Sequence, residues 1–226
     1  MMRTRFQLGL DELRDKLLKM GGRAEQAVER ASRAYRDRDL KLCQQVLEGE
    51  TLINMAEREI DAIGLDLLAM QQPMASDLRF ILSVVKINAD LERVGDQAVN
   101  IAERVMDMVE LPAVELPVDI PRMAAAASGM VQRALESFVQ RKTDLANAVL
   151  EMDNVVDRMR DEAFIMLVQK MNQEPSVTRQ ALDTLLIARN LERVADHATN
   201  IAEDVIFWVQ GSDVRHHHLG PEFSSH

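Results

Sequence analysis

Apolar side chains recur along most of this chain at the three-and-four spacing of amphipathic helices, and polar positions fill the intervals. The clearest window is Leu91 to Val105. At about 100° per residue, Leu91, Val94, Ala98, Ile101 and Val105 gather on one side of a helix. Glu92, Asp96, Asn100 and Glu103 fall within about an 80° arc on the other. One face belongs to a core and the opposite face is an acidic stripe.

The pattern breaks at few places, and proline marks most of them. Prolines stand at 73, 112, 117, 121, 175 and 221. A proline inside a helix costs roughly 3 kcal/mol, so long helices are expected in the stretches between them. Six are predicted: Thr4–Arg36, Leu40–Met70, a third from Ser76 as N-cap to Glu110, Arg122–Gln140, Thr143–Met171 and Ser176–Gln210. The first carries a point of strain at Gly21-Gly22 and ends in the charged turn 36–39. Gly211 is a natural C-terminal stop. Three prolines in Leu111 to Pro121 require an extended connection.

The third and sixth helices repeat one another. Leu91 to Val105 reads LERVGDQAVNIAERV and Leu191 to Val205 reads LERVADHATNIAEDV, identical at eleven of fifteen positions. The preceding helices echo this more faintly, with Glu50 and Asn54 in the first and Asp153 and Asp157 in the second. Such self-similarity marks a duplicated unit. The expected fold is all-α, two tandem pseudo-symmetric antiparallel three-helix bundles. The first spans 1–111, a proline-rich connection 112–121, the second bundle 122–211 and a C-terminal tail 212–226. The pattern does not fix whether the bundles lie end to end or side by side.

The acidic stripes are the candidate chemistry. Glu92 and Asp96, with the copy Glu192 and Asp196, lie opposite the core face. Glu50 and Asn54 precede the first pair, with Glu57 and Asp61 further along their helix, and Asp153 and Asp157 precede the second pair. In antiparallel helix pairs these groups converge, and oxygen-only ligands suit hard cations such as Mg, Ca, Mn or ferric iron. If carboxylate number decides, the second half binds tighter, because Asn54 brings an oxygen without charge. Solvated acidic faces are nevertheless common, and Arg93 and Arg193 stand ready to neutralise these without a metal. His197 occurs in one copy only, which argues against a ligand role. Cys43 is expected to be a small buried apolar residue, and His216 to His218 to be a loop of little consequence.

Charge and composition narrow the function. Lys plus Arg number 27 against 37 Asp plus Glu, for a net charge of -10, and no basic patch is evident; a general nucleic-acid binder is therefore unexpected. The longest apolar run, Ala163 to Val168, is far short of the roughly 20 residues of a membrane span. The N-terminus has no apolar secretory region, and a single cysteine excludes an internal disulfide. No nucleophile–base pair, phosphate loop or Glu-x-x-His motif is present, so no catalytic residue and no organic cofactor are expected.

The doubled motif resembles the paired signature of the PhoU family, bacterial accessory and regulatory proteins of phosphate transport. Glu50-x-x-x-Asn54, Gln72-Pro73-x-x-Ser76-Asp77-Leu78-Arg79 and Asp213-Val214-Arg215-His216 add to it. The resemblance implies a cytoplasmic, non-enzymatic negative regulator of the phosphate-starvation response. Its implied partners are the ATP-binding subunit of the phosphate ABC transporter and a membrane sensor histidine kinase, and a homodimer is expected. It also implies metal ions, iron or other hard divalent cations, held by E/D-x-x-x-D motifs. These map here to Glu92 with Asp96, Asp153 with Asp157 and Glu192 with Asp196, and the fourth departs from the pattern at Glu50 with Asn54. The alternatives are a carboxylate-bridged metal enzyme or metal store, and an adaptor whose acidic stripes dock proteins without metal.

Overall fold

A computed structural model describes residues 2–70 and 73–212. Six α-helices account for nearly all of them: α1 (Met2–Asp37), α2 (Leu40–Met70), α3 (Ala75–Val109), α4 (Ile120–Gln140), α5 (Thr143–Gln173) and α6 (Thr178–Gln210). The expected Gln72, Asp213–His216 and tail histidines lie outside the described residues.

The helix ends follow local chemistry. Asp39 Oδ1 accepts the amides of Lys41 (2.8 Å) and Leu42 (3.4 Å) and so caps α2. Asp119 accepts from Arg122 N at 3.0 Å, with Pro121 inside the first turn of α4 where its missing N–H is no loss. That helix therefore starts two residues before the sequence expectation. Ser76 is not the cap of α3; Met74 holds that place without a side-chain bond, and Ser76 lies in the first turn. Before α6, Pro175–Val177 form a single 3₁₀ turn. Gly211 ends α6 at φ 75°, in the left-handed region.

Each half is a three-helix bundle, and the two lie side by side. The helices α3 and α6 form the central contact, flanked by α1 and α4; among the described residues α2 touches only α1 and α3, and α5 only its own half. Ser83 Oγ donates to the Asp204 carbonyl at 3.0 Å, Lys86 pairs with Asp204 at 3.1 Å, and Asp90 meets His197 at 2.8 Å. Rising numbers on α3 thus meet falling numbers on α6, so the two are antiparallel about a pseudo-twofold axis. The face expected to be core is core: Leu91, Val94, Ala98, Ile101 and Val105 are buried, as are Leu191, Val194, Ala198, Ile201 and Val205. Cys43 is buried and unbonded. Phe80 of the first half stacks among Phe138 and Trp208 of the second, with centroids 5.1 to 6.0 Å apart. No helix of the described residues is long and apolar enough to cross a membrane.

The duplication also repeats an unusual turn. Arg38 (φ 51°) and Arg141 (φ 54°) are the non-glycine residues with positive φ among the described residues, each after the first helix of its half. Their side chains diverge. Arg38 Nη2 donates to the carbonyls of Met108 (2.8 Å), Val109 (3.2 Å) and Leu111 (2.5 Å), closing the C-terminus of α3. Arg141 lies over the Trp208 ring at 5.1 Å. Arg38→Gly relieves the left-handed backbone but loses charge-assisted bonds, and should destabilise by about 1–2 kcal/mol. Arg141→Gly relieves the same strain and loses only a ring contact, so it should stay within about 0.5 kcal/mol of wild type. Urea denaturation of the two variants checks this difference.

Candidate functional site

Helix phase places the acidic groups at two equivalent locations, one between α2 and α3 and one between α5 and α6. In the first, Gly95 permits close approach of the helices. A Cβ there would stand 2.9 Å from Ile53 Cδ1, and Ile53 precedes Asn54. The second copy has Ala195 and Val156 at these positions, the same total of side-chain carbons divided differently. Both copies thereby bring α2 or α5 close to the stripe of the next helix.

The stripes are half-sunk in the helix seams. The side chains of Glu92 and Glu192 retain 17% and 20% of their exposure. Burial pushes the Glu92 carboxyl above its usual range, assisted by the charges of Asp96, Glu57 and Glu50 and opposed by Arg93. Burial likewise raises Glu192, with Asp196 and Asp157 adding to it and Arg160 opposing. Asp196 is raised by burial and then by Asp157, and Asp153 is pushed up to about 6 by burial, Asp157, Asp196 and Glu192. The four predicted carboxylates of the second half thus share one field, and Glu50 and Glu57 share another with Glu92 and Asp96.

The two locations differ in their cations. Arg93 pairs with Glu92 at 3.4 Å and Asp96 at 3.1 Å in the first. In the second, Arg193 makes no ion pair among the described residues, and Arg160 of α5 takes over, reaching Glu192 at 3.4 Å and Asp161 at 2.9 Å. Arg160 occupies the place of Glu57. The motif count that favoured the second half left this residue out, and setting α2 against α5 in register with Glu50 and Asp153 would have exposed it. Asp61 accepts at 3.0 Å from Nδ2 of Asn88, which lies on α3 one turn before Glu92. His197 bridges the halves: its Nδ1 lies 2.8 Å from Asp90 Oδ1, which also accepts from Asn200 Nδ2 at 3.1 Å.

The donor set suits a hard cation in two respects. Asn54 Oδ1 and Asp153 Oδ1 are buried and have no hydrogen-bond partner, one in each location. The raised carboxyls also record like charges that a cation would relieve. Among the described residues, no three His, Cys, Asp or Glu side chains already form a group able to hold an ion. The oxygens needed are present but not gathered around one point.

A family model, the PhoU domain, matches residues 17–105 and again 120–205. The chain belongs to the PhoU family. Each match spans one bundle and includes one acidic location, so the family's unit is the duplicated half. A curated relative, the phosphate-specific transport system accessory protein PhoU homolog of Pseudomonas aeruginosa, is 42% identical over 214 residues, covering 93% of this chain and 88% of that protein. The PhoU accessory protein of Escherichia coli (strain K12) is 30% identical over 211 residues, covering 93% and 88%. Among solved structures, PhoU from Pseudomonas aeruginosa superposes with a TM-score of 0.87 at 40% identity, covering 92% of this chain and all of that one (100%). The phosphate transport system regulatory protein PhoU from Streptococcus pneumoniae gives 0.83 at 26% identity, covering 92% and 99%. The PhoU fold expected from the doubled motif is the fold observed.

The raised carboxyl of Asp153 has a sign that can be measured. Between its ordinary value of 3.8 and about 6, the folded chain holds a proton that the unfolded chain has released. Stability contributed by this group therefore falls as pH rises through that window, and the penalty is complete above it. In metal-stripped protein, Asp153→Asn should raise Tm at about pH 7.5, and its advantage should disappear towards about pH 4. Thermal unfolding followed by circular dichroism at the two pH values tests this.

Proposed function

We propose that this chain is an accessory regulator of phosphate transport. It acts in the cytoplasm as a homodimer and as a negative regulator of the phosphate-starvation response. It works by binding, not catalysis, and its partners are the ATP-binding subunit of the phosphate ABC transporter and a membrane sensor histidine kinase. The observation that carries this reading is likeness over nearly the whole chain to proteins named as phosphate-specific transport accessory proteins, at 42% identity over 93% of its length in one case. Two rigid bundles with long exposed flanks suit such a role, since charged groups along them set the specificity and rate of encounter. Deletion should leave a phosphate-starvation reporter switched on when phosphate is abundant. A reporter that still responds normally in a clean deletion strain refutes the regulatory role.

A second feature belongs to the same reading. The unpartnered oxygens of Asn54 and Asp153 favour cation binding at both locations. Glu50, Asn54, Glu92 and Asp96 would hold one set of ions, and Asp153, Asp157, Glu192 and Asp196 the other. The ions would be iron or other hard divalent cations, and they would neutralise charge and tie neighbouring helices together. Asp96→Ala and Asp196→Ala should each lower the stoichiometry measured by calorimetry on metal-stripped protein. Equal binding by the wild type and the double variant would count against these residues as the ligands, and no binding by the wild type would leave the adaptor without metal as the better account.

A further inference from the structure

Divergence between the two copies exposes a surface that the carboxylate motif does not explain. In the second copy, a cleft of about 800 Å³ opens between α5 and α6 beside the acidic location. Phe164, Leu185 and Leu186 give it an apolar floor, and Arg160, Arg189 and Arg193 surround that floor. Leu182, one turn from Leu186, extends the apolar strip along α6, and Phe164 and Leu182 retain 51% and 46% of their exposure. Glu192 and Asp196 also line the cleft; Glu192 is taken by Arg160, and Asp196 sits at the far end of the α6 row. Arg189 and Arg193 make no ion pair or hydrogen bond among the described residues.

The first copy serves as an internal control. In register with Arg160, Phe164, Leu186 and Arg189 it has Glu57, Asp61, Lys86 and Ala89. There Asp61 is spent on Asn88 and Lys86 on Asp204. The same three-helix unit therefore folds without the phenylalanine or the additional arginines. Their presence in the second copy, on a chain of net charge -10, is a local reversal that folding does not require. Exposed apolar residues flanked by Arg189 and Arg193, whose charges reach Glu192 and Asp196 without forming an ion pair, match a partner segment of the opposite make-up.

We propose that the α5–α6 cleft is a docking site for a protein partner, receiving a segment that presents apolar side chains flanked by Asp or Glu. The apolar groups seat on Phe164, Leu185 and Leu186, while the acidic ones pair with Arg189 and Arg193. Guanidinium and carboxylate meet in a forked pair that fixes the segment's register. The corresponding face of the first copy repels such a segment through Glu57 and Asp61, so docking is one-sided despite the pseudo-symmetry. This inference rests on the regulatory reading above, because it supplies the surface through which that binding takes place.

The test uses the full chain, the purified ATP-binding subunit of its own phosphate transporter, and the full-length sensor kinase in lipid nanodiscs. Affinities are measured by biolayer interferometry at low and high salt. Phe164→Asp with Arg189→Ala installs first-copy residues and should keep the fold, verified by circular dichroism. It should weaken binding to one partner at least about tenfold and flatten the salt dependence. Arg189→Glu with Arg193→Glu should do the same, while Leu52→Ser with Met55→Ser, on the exposed face of α2, should change affinity less than about twofold. If the cleft variants bind both partners as tightly as wild type, the docking site is overturned and the regulatory reading stands. If wild type binds neither partner, both fall. If the variants instead shift the chain from dimer to monomer in sedimentation, the occupant is a second copy and the proposal is equally overturned.

Discussion

Antiparallel packing of α3 against α6 governs this molecule. Both helices carry the same buried row of small and branched side chains, and both use the opposite edge for the acidic groups. Because one helix must bury its apolar row against its own bundle and against its twin, its free surface is confined to the seam with α2 or α5. The acidic locations are thus fixed at the level of the pseudo-twofold axis and on the outer flanks. Their position is a by-product of packing, whatever they come to bind.

Packing also sets the electrostatics. A carboxylate sunk in a helix seam loses water on one side, and two or three of them there raise one another's pKa. The folded state carries that strain in both halves and relieves it differently, through Arg93 in one and Arg160 in the other. Ion pairs of this partly exposed kind contribute little to stability by themselves. What they alter is the local sign of charge, which differs between two otherwise superposable units.

The fold was legible in the sequence because its signal is periodic and printed twice: one helix face recurring in phase is hard to produce in any other way. Proline placement separated the helices to within a few residues. Ser76 misled, since an N-cap is chosen by backbone geometry that a hydroxyl two residues downstream does not report. The candidate site was only half legible. Glu92, Asp96 and their copies stand out by spacing, but pairing across helices depends on register. Arg160 acquires its meaning only when α6 lies alongside α5, and His197 only when α3 lies alongside α6. Side-by-side bundles were equally beyond reach, because amphipathic faces name what is buried without naming what buries it.

Trp208 is the sole tryptophan of the chain and sits against Phe80, from the other half, and Phe138, from its own. Its indole is a native spectroscopic label at the seam between the two units. Any process that parts the halves while leaving each bundle intact would shift its emission without changing helix content. Unfolding of the whole chain would move both signals together. The duplicated architecture therefore carries its own gauge of whether it behaves as one cooperative body or as two.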